Sequence, residues 1–373
     1  MEWPPIRWLV DTTAAYRFDL RESRLYRLLA DGSEVEIAEA INGGILNIDS
    51  ATWSNATGTL NIDNSTLELD GSFTTAGIGT ITRTGGTVNV TGTLTNTGDT
   101  LTLDATTGSW NLLGGTVVGG TIAFADGSSF MTTTSGGTFN GVTLNNDMTI
   151  SNSHLLALVN GLTLNAVLTL ASTGTSTTLR FNSGTQTLDG TGEIVMGGTS
   201  SNNQLQLGFG GATTLTIGAD IEVHGRGSIS RSSASTLIND GTLSADVSGQ
   251  TLTIGTTSFT FTNNGTIEAV AGATMNINSS VTNLGGTIRT TIAGTATTDF
   301  GRFLISGAVT LSGTLELALS GGFTPLLGQS FQVMTYGSRT GTLGSIVELD
   351  DVPGLVYDPV YNATDLTLNM IAG

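Results

Sequence analysis

The sequence predicts an all-β chain: a right-handed parallel β-helix (β-solenoid) with a short N-terminal helical cap and a C-terminal β module. Three observations favour this fold class. First, a phrase of one or two Gly, usually a Thr, and then alternating aliphatic residues recurs from about residue 41 to about residue 300. Second, aromatic residues make up only 6% of the chain, too few for a large globular core, whereas its many Thr, Val, Ile and Leu suit thin stacked strands. Third, apolar residues reach 38% and alternate regularly, which disfavours disorder.

The recurring phrase describes a chain reversal followed by a short strand. Its copies begin at Gly43, Gly58, Gly85, Gly241, Gly265 and Gly286. Gly, often preceded by Asn or Asp, supplies the positive φ angles of tight turns, and period-2 alternation places one row of side chains inward. A unit repeated in this way is typical of a stack in which each coil buries its apolar side against its neighbours.

Residues 1–40 differ from the rest and are interpreted as an N-terminal cap or a non-native leader. The residues after Asp11 predict a helix at about 14–30, with Arg17, Arg21 and Arg24 along one side. We interpret this Arg row as the solvated face of a helix that covers the open edge of the first coil. A docking stripe for a partner is the alternative.

Residues 41–300 are predicted to be the β-solenoid repeats. The copies marked by Asn place Gly at positions 241, 265 and 286, so successive copies are 24 and 21 residues apart (265 − 241 and 286 − 265). A coil of this length fits three short strands and three turns per circuit. Asn side chains stacked at one corner can bond to those above and below them as a ladder. Between residues 120 and 230 the spacing is irregular, and the coil boundaries there stay open.

Residues 301–373 are predicted to form a C-terminal β closing module. Short alternating runs at 309–319, 331–333 and 366–368 are separated by turns, and three of the five Pro of the chain lie here, at positions 325, 353 and 359. Because Pro cannot donate to a strand ladder, this shift in composition indicates a boundary near residue 300.

The closing module also resembles the C-terminal part of large bacterial surface proteins. The resemblance rests on FLISGAVTLSGTLEL (303–317), GQSFQVMTYGSRTGTL (328–343) and YNATDLTL (361–368), and the upstream coil GTQTLDGTGEI (184–194) is similar to the passenger repeats of the same proteins. These are the autotransporter-like and haemagglutinin-like adhesins, which have β-helical passenger regions. Over residues 41–373 the resemblance implies an exported role at the bacterial cell surface.

Charge and composition exclude several classes of partner and chemistry. The net charge is −18 and all 12 basic residues are Arg, so phosphate backbones and anionic membranes are repelled. No run of 18 apolar residues occurs, so no membrane span is predicted in this chain. Cys is absent, which excludes disulfides and thiol chemistry. Met1–Val10 lacks the pattern of an export signal, and we expect the chain to be part of a longer polypeptide or to begin at a misassigned start.

One polar patch is the best candidate for enzyme chemistry. Asp220, Glu222, His224 and Arg226 alternate along one predicted strand, so their side chains share a face. Clustered acids and a base are what a polysaccharide lyase or hydrolase on a β-helix requires. A solvated strand face explains the same pattern and is favoured. The only other His, His154, is interpreted as a turn or surface residue.

One acidic group is the candidate calcium site. Glu348, Asp350, Asp351 and Asp358 form the densest acidic cluster in the chain, and carboxylates are calcium ligands. The group lacks a fixed loop spacing, so ordinary turn acids are the favoured interpretation. No metal or cofactor is predicted.

The sequence therefore predicts a non-catalytic, extracellular or cell-surface segment with a structural or adhesive role. Possible partners are surface glycans and host or matrix proteins. The alternative is a polysaccharide-acting lyase or hydrolase on the same scaffold. A third, weaker hypothesis is an ice- or mineral-ordering surface, which would need Thr residues spaced by one full coil on a flat outward face.

Overall fold

The computed structural model describes residues 17–21, 24–28, 34–36, 38–41, 43–256 and 258–373; up to residue 41 and at Val281 it describes the backbone alone. The chain is a parallel β-solenoid of about 12 turns, with 60% strand and 1% helix, so the predicted fold class is confirmed. Contacts divide the chain into two compact units. Unit 1 comprises Met1–Thr149 and His154–Leu158, and unit 2 comprises Ile150–Ser153 and Val159–Gly373. The predicted division at residues 40 and 300 stays a prediction.

The elements of the first half of the chain are short. They are β1 (Arg17–Arg21), β2 (Arg24–Leu28), β3 (Glu34–Glu36), β4 (Ala38–Ile41), β5 (Ile45–Ile48), β6 (Thr59–Asp63), β7 (Thr66–Leu69), β8 (Ser72–Thr74), α1 (Thr75–Ile78), β9 (Thr80–Thr84), β10 (Thr87–Val90), β11 (Thr93–Thr95), β12 (Thr100–Leu103), β13 (Trp110–Leu112), β14 (Thr116–Val118), β15 (Thr121–Phe124), β16 (Phe130–Thr132), β17 (Thr138–Leu144), β18 (Met148–Ser151) and β19 (Leu155–Leu164).

The second half contains several long strands. They and their neighbours are β20 (Val167–Ala171), β21 (Thr177–Gly190), β22 (Glu193–Met196), β23 (Asn203–Ile217), β24 (Glu222–Gly225), β25 (Gly227–Arg231), β26 (Ser235–Asn239), β27 (Thr242–Ala245), β28 (Thr251–Ile254), β29 (Phe259–Asn263), β30 (Thr266–Ala269), β31 (Thr274–Ile277), β32 (Val281–Leu284), β33 (Thr287–Ile292), β34 (Arg302–Leu311), β35 (Thr314–Leu319), β36 (Ser330–Gly341), β37 (Ser345–Glu348), β38 (Leu355–Tyr361) and β39 (Asp365–Ala372).

In unit 1 parallel strands stack in register about one circuit apart. One sheet has the order β5–β7–β10–β13–β16, and β4–β6–β9 and β8–β11–β14–β17 stack in the same way. In the first of these sheets Leu67, Val88, Trp110 and Phe130 lie opposite one another in successive turns, and all four are buried. Burying each such side chain contributes roughly 1.5–3 kcal/mol. The core is therefore a set of inward columns, as the alternation predicts.

The predicted N-terminal helix is wrong for the residues that the structure describes. Strands β1 and β2 pair antiparallel, with Arg17 opposite Leu28 and Arg21 opposite Arg24, and β2 pairs antiparallel with β3. The rest of 14–30 lies outside the described residues. Phe18 and Leu20 alternate with Arg17, Asp19 and Arg21, and this period-2 pattern competed with the helical one that the Arg spacing suggested.

In unit 2 the stacked strands form three faces. The charged face contains β22, β24, β27, β30, β33, β35 and β37. The hydroxyl face contains residues 184–188 of β21, 213–217 of β23, β26, β29, β32, 308–311 of β34 and 338–341 of β36. The third face contains residues 177–182 of β21, 203–209 of β23, β25, β28, β31 and 302–305 of β34. Long strands thus belong to two faces each.

The recurring Gly-Thr pair is a corner at which successive turns touch. The Thr266 amide donates to the Gly241 carbonyl at 2.7 Å, the Thr287 amide to Gly265 at 2.8 Å, and the Thr314 amide to Gly286 at 3.1 Å. A Cβ added to Gly286 would lie 2.1 Å from the Gly265 oxygen. Gly is therefore required because the backbone of one turn occupies the space that a side chain would need.

The Asn-marked copies form a short buried ladder. Asn239 Nδ2 donates to Asn263 Oδ1 at 2.7 Å and to the Gly241 carbonyl at 3.1 Å, and Asn263 Nδ2 donates to the Gly265 carbonyl at 3.0 Å. This confirms the predicted ladder for two copies. In the third copy the extra Gly shifts the register by one residue, so Leu284 lies opposite Asn263 and Asn283 is exposed.

The C-terminal residues change the direction of pairing. Parallel pairing continues to β36 and β37, while β39 pairs antiparallel with both β36 and β38. In the described part of the chain, no helix combines the length and the apolar character needed to cross a membrane.

Candidate functional site

The predicted polar patch lies on the charged face, around β24. Val223 points inward and is buried, so Glu222 and His224 point outward and are partly exposed. Asp220 lies exposed in the turn before the strand. Arg226 follows the strand, and its Nη2 donates to the carbonyl of Gly198. The patch is thus a strand face in which Arg226 bonds backbone and not a carboxylate.

Within this patch His224 forms the closest contacts with acids, and sequence reasoning missed both of these acids. Its Nδ1 lies 2.8 Å from Asp246 Oδ2, and its Nε2 lies 3.5 Å from Glu193 Oε2. Because the two ring nitrogens point in opposite directions, the two carboxylates cannot converge on one point with the ring. The arrangement suits a polar link between turns better than a metal or acid–base site.

No sequence signal could have joined these three residues without the register. Glu193 lies opposite Glu222, 29 residues away (222 − 193), whereas His224 lies opposite Ser244, 20 residues away (244 − 224). A turn length that varies this much hides the neighbours on adjacent turns. Within the described ranges, no three or more His, Asp or Glu residues are grouped so that they could hold a metal ion.

Further along the charged face, other polar pairs link neighbouring turns. Ser244 Oγ donates to Glu268 Oε2 at 3.2 Å, and Arg289 Nη2 lies 2.7 Å from Glu316 Oε2. Arg289 and Glu316 are directly opposite each other on β33 and β35. The Arg289–Glu316 ion pair is partly exposed, so it contributes only roughly 0–1 kcal/mol.

The four acids of the predicted calcium group have separate roles in the structure. Glu348 Oε1 accepts a hydrogen bond from the Tyr357 amide at 3.0 Å, and Asp350 Oδ2 accepts one from the Leu319 amide at 2.7 Å. Asp351 and Asp358 are exposed. Two of the four carboxylates therefore tie β35 and β38 to the loop around β37, and their role is explained by backbone hydrogen bonding.

Tyr357, between these strands, provides a pH-dependent observable. Burial raises the pKa of its phenol to about 12, and the carboxylates of Glu348 and Asp350 add to the rise. Because the folded state favours the neutral phenol, its contribution to stability is full below about pH 10, the ordinary tyrosine value, and is lost as the pH rises towards 12. We expect the phenolate absorbance difference between the wild type and Tyr357→Phe to have its midpoint near 12, and Glu348→Gln to lower it. A midpoint near 10 in the folded protein would contradict this assignment.

The hydroxyl face carries a regular outward array. Its strands place two columns of side chains outward in register, at positions 185, 214, 236, 260, 308 and 338 and at positions 187, 216, 238, 262, 283, 310 and 340. Nine of these thirteen are Thr: Thr185, Thr187, Thr214, Thr216, Thr236, Thr260, Thr262, Thr310 and Thr340. None is charged. Thr residues spaced by one full coil are therefore present, with interruptions at Ile238, Asn283, Ala308 and Ser338.

No family model matches the chain, and no curated protein matches it significantly.

Proposed function

We propose that this chain is a non-catalytic structural and adhesive β-solenoid segment of a larger bacterial surface protein, located outside the cell. The two outward columns of the hydroxyl face carry this proposal. A single Thr hydroxyl contributes only about 0.5–1.5 kcal/mol to a hydrogen-bonded contact, so one or two of them bind nothing tightly. A repeated array gains affinity only for a ligand that is itself extended and repetitive.

Surface glycans are the partners that suit such an array best. Polysaccharides present closely repeated hydroxyls that both donate and accept, and they are flexible enough to pass over a column that changes from Thr to Ile238 or Ala308. A crystal lattice of ice or mineral tolerates such interruptions less well, because its own repeat is rigid. The uncharged character of the columns also suits a neutral sugar surface on a chain of net charge −18.

The scaffold beneath the array suits the structural part of the proposed role. The Gly-Thr corners and the Asn239–Asn263 pair link each turn to the next by hydrogen bonds. The inward columns of unit 2 are filled by buried aliphatic and aromatic side chains such as Leu215, Leu237 and Phe261. The composition and the resemblance of residues 303–317 to adhesin sequences support a location at the cell surface.

The test is co-sedimentation with insoluble cellulose, chitin and peptidoglycan. We expect the wild type to sediment with at least one of them. The double variant Thr216→Glu/Thr262→Glu should reduce the bound fraction about tenfold, because it desolvates charge and removes hydroxyls in the middle of the array. Thr253→Glu/Asn276→Glu makes the same charge change on the third face, where Thr253 lies opposite Asn276, and should bind like the wild type.

Two results would overturn the proposal. If the wild type binds none of the three polysaccharides, the chain has no adhesive role of this kind. If the two double variants lose binding equally, the hydroxyl face is not the binding surface. Release of new reducing ends or unsaturated products from the bound polysaccharide would show that the chain is an enzyme.

A further inference from the structure

We propose that Arg180 and Phe209, with the polar row beside Arg180, form a binding site in unit 2 for an anionic sugar residue, one that bears a carboxylate or a sulfate. The inference rests on the proposed function, since it names a second class of glycan unit that an adhesive segment of this kind would take. It depends on a different face of the molecule from the hydroxyl columns.

A bulge in β23 creates the exposed part of this site. Phe181 lies opposite Leu207 and Asn182 opposite Phe209, but Gly184 lies opposite Thr213. Between the first and last of these pairs β21 advances three residues (184 − 181) and β23 six (213 − 207), so β23 contains three extra residues. They are accommodated with positive φ angles at Gly208 and Gly210, +78° and +82°. Bulges of this kind re-aim side chains and are common beside functional sites.

The bulge holds Phe209 outward in contact with a guanidinium. Phe209 is 48% exposed. This is a large exposed fraction for an aromatic residue, in a chain that has few of them. Arg180 Cζ lies 3.8 Å from the centroid of the ring, a cation–π contact. One face of the ring is thus backed by the guanidinium, and about half of the residue is exposed to solvent. An open aromatic face is what packs against the apolar C–H face of a sugar ring.

Arg180 retains unused capacity to bind an anion. Among the described residues it forms no ion pair, and its buried Nε has no hydrogen-bond partner. Partial burial lowers its pKa, but an Arg side chain stays charged at neutral pH. A guanidinium offers a planar fork of donors that matches a carboxylate or sulfate with two parallel hydrogen bonds. A cation held by an aromatic ring and left without a counter-ion is pre-organised for such a group.

The strand segments that stack beside Arg180 through β23, β25 and β26 are free of acids. Segments 177–188, 203–217 and 227–239, which stack on one another, contain no Asp or Glu, although the chain has 30 such residues. Gln206 lies opposite Arg180 and Ser230 opposite Gln206, which places a guanidinium, an amide and a hydroxyl in one outward row. Neighbouring strands are about 4.8 Å apart, so the row spans roughly the width of one or two sugar units.

The overall charge limits the ligand further. At −18, the chain repels a long polyanion along most of its surface. The site therefore suits an isolated acidic unit, or the end of a chain, better than an uninterrupted polyanionic stretch.

Titration calorimetry with soluble oligosaccharides tests this site. The probes are a short oligogalacturonate for the carboxylate arm, a sulfated oligosaccharide for the sulfate arm, and a neutral gluco-oligosaccharide of matched length. We expect the wild type to bind at least one acidic probe at least about tenfold more tightly than the neutral one, since a charged hydrogen-bonded pair is worth that factor. Arg180→Gln should remove this preference, and Phe209→Ala should weaken binding of the acidic probe severalfold, whereas Phe209→Trp should retain it.

Arg302→Gln is the matched control, because it removes one positive charge from the same unit at the start of β34. It should bind like the wild type, and the thermal unfolding midpoints of all variants should be similar, because the changed side chains are partly exposed. The proposal is overturned if the neutral probe binds as tightly as both acidic ones, or if Arg180→Gln binds like the wild type. Because Arg180→Gln leaves the hydroxyl face intact, it should still sediment with neutral polysaccharide. Loss of sedimentation in the wild type with retained acidic-sugar binding would instead remove the proposed function alone.

Discussion

Replacing Gly286 by Ala is expected to lower the free energy of unfolding of unit 2 by about 3 kcal/mol, the upper range for overpacking. The added Cβ would lie 2.1 Å from the Gly265 carbonyl oxygen, which belongs to backbone and cannot rotate away. That oxygen also accepts the Thr287 amide at 2.8 Å, so moving it weakens the corner hydrogen bond. The measurement is a denaturant titration followed by circular dichroism, with the midpoint shifted down for the variant.

The neighbouring residue supplies the control. A Cβ on Gly285 would meet its nearest atoms at 3.6 and 3.7 Å, ordinary van der Waals contact. Gly285→Ala is therefore expected to be neutral, or to raise stability by up to about 1 kcal/mol through the unfolded chain. Equal effects of the two substitutions would show that the Gly-Thr corners do not depend on close approach of the backbone.

Replacing Asn263 by Ala is expected to cost about 2–3 kcal/mol, the penalty for leaving buried polar groups without a partner. Asn263 is completely buried. Its amide donates to the carbonyls of Gly265 and Thr287 at 3.0 and 3.3 Å, and its Oδ1 accepts from Asn239 at 2.7 Å. Removing it takes a donor from two carbonyls and the acceptor from Asn239, and leaves a cavity beside Phe261.

Asn283→Ala is the matched control for this ladder. Asn283 belongs to the next Asn-marked copy but lies on the outer side of β32, exposed, so its loss should change stability by less than about 0.5 kcal/mol. Hydrogen exchange at the Thr266 and Thr287 amides should report the same difference locally, with faster exchange only in Asn263→Ala. A comparable loss of stability in Asn283→Ala would mean that the ladder is not what holds these turns together.

The parts of the structure that could be predicted are those that repeat. The Gly-Thr pair predicts a corner, because Gly alone fits where two backbones touch, and the 24- and 21-residue spacings between positions 241, 265 and 286 predict the register that the structure contains. Alternation also predicts the buried apolar side chains of β27, β30 and β33. Because the same phrase recurs in each copy, local patterns are sufficient to predict these corners and their register.

The parts that could not be predicted are those that depend on one turn meeting another at an irregular spacing. The bulge in β23 displaces the register within the region of irregular spacing, so no count along the chain could place Phe209 over Arg180. The contacts of His224 with Asp246 and Glu193 were missed for the same reason. The helix predicted at 14–30 failed because a short segment carries both a helical and a strand period, and pairing of β1 with β2 selected the second.

The sequence by itself determined that this chain stacks short strands around Gly corners with an aliphatic interior, because each of those features depends on residues close together in the chain. The tertiary structure alone decided which side chains meet on the outward faces: the Thr columns, the acids beside His224, and the open guanidinium at Arg180. Those neighbours are a full circuit or more apart in sequence. A shift of a single residue in any turn exchanges inward for outward positions, as Asn283 and Leu284 illustrate, and only the folded register decides that shift.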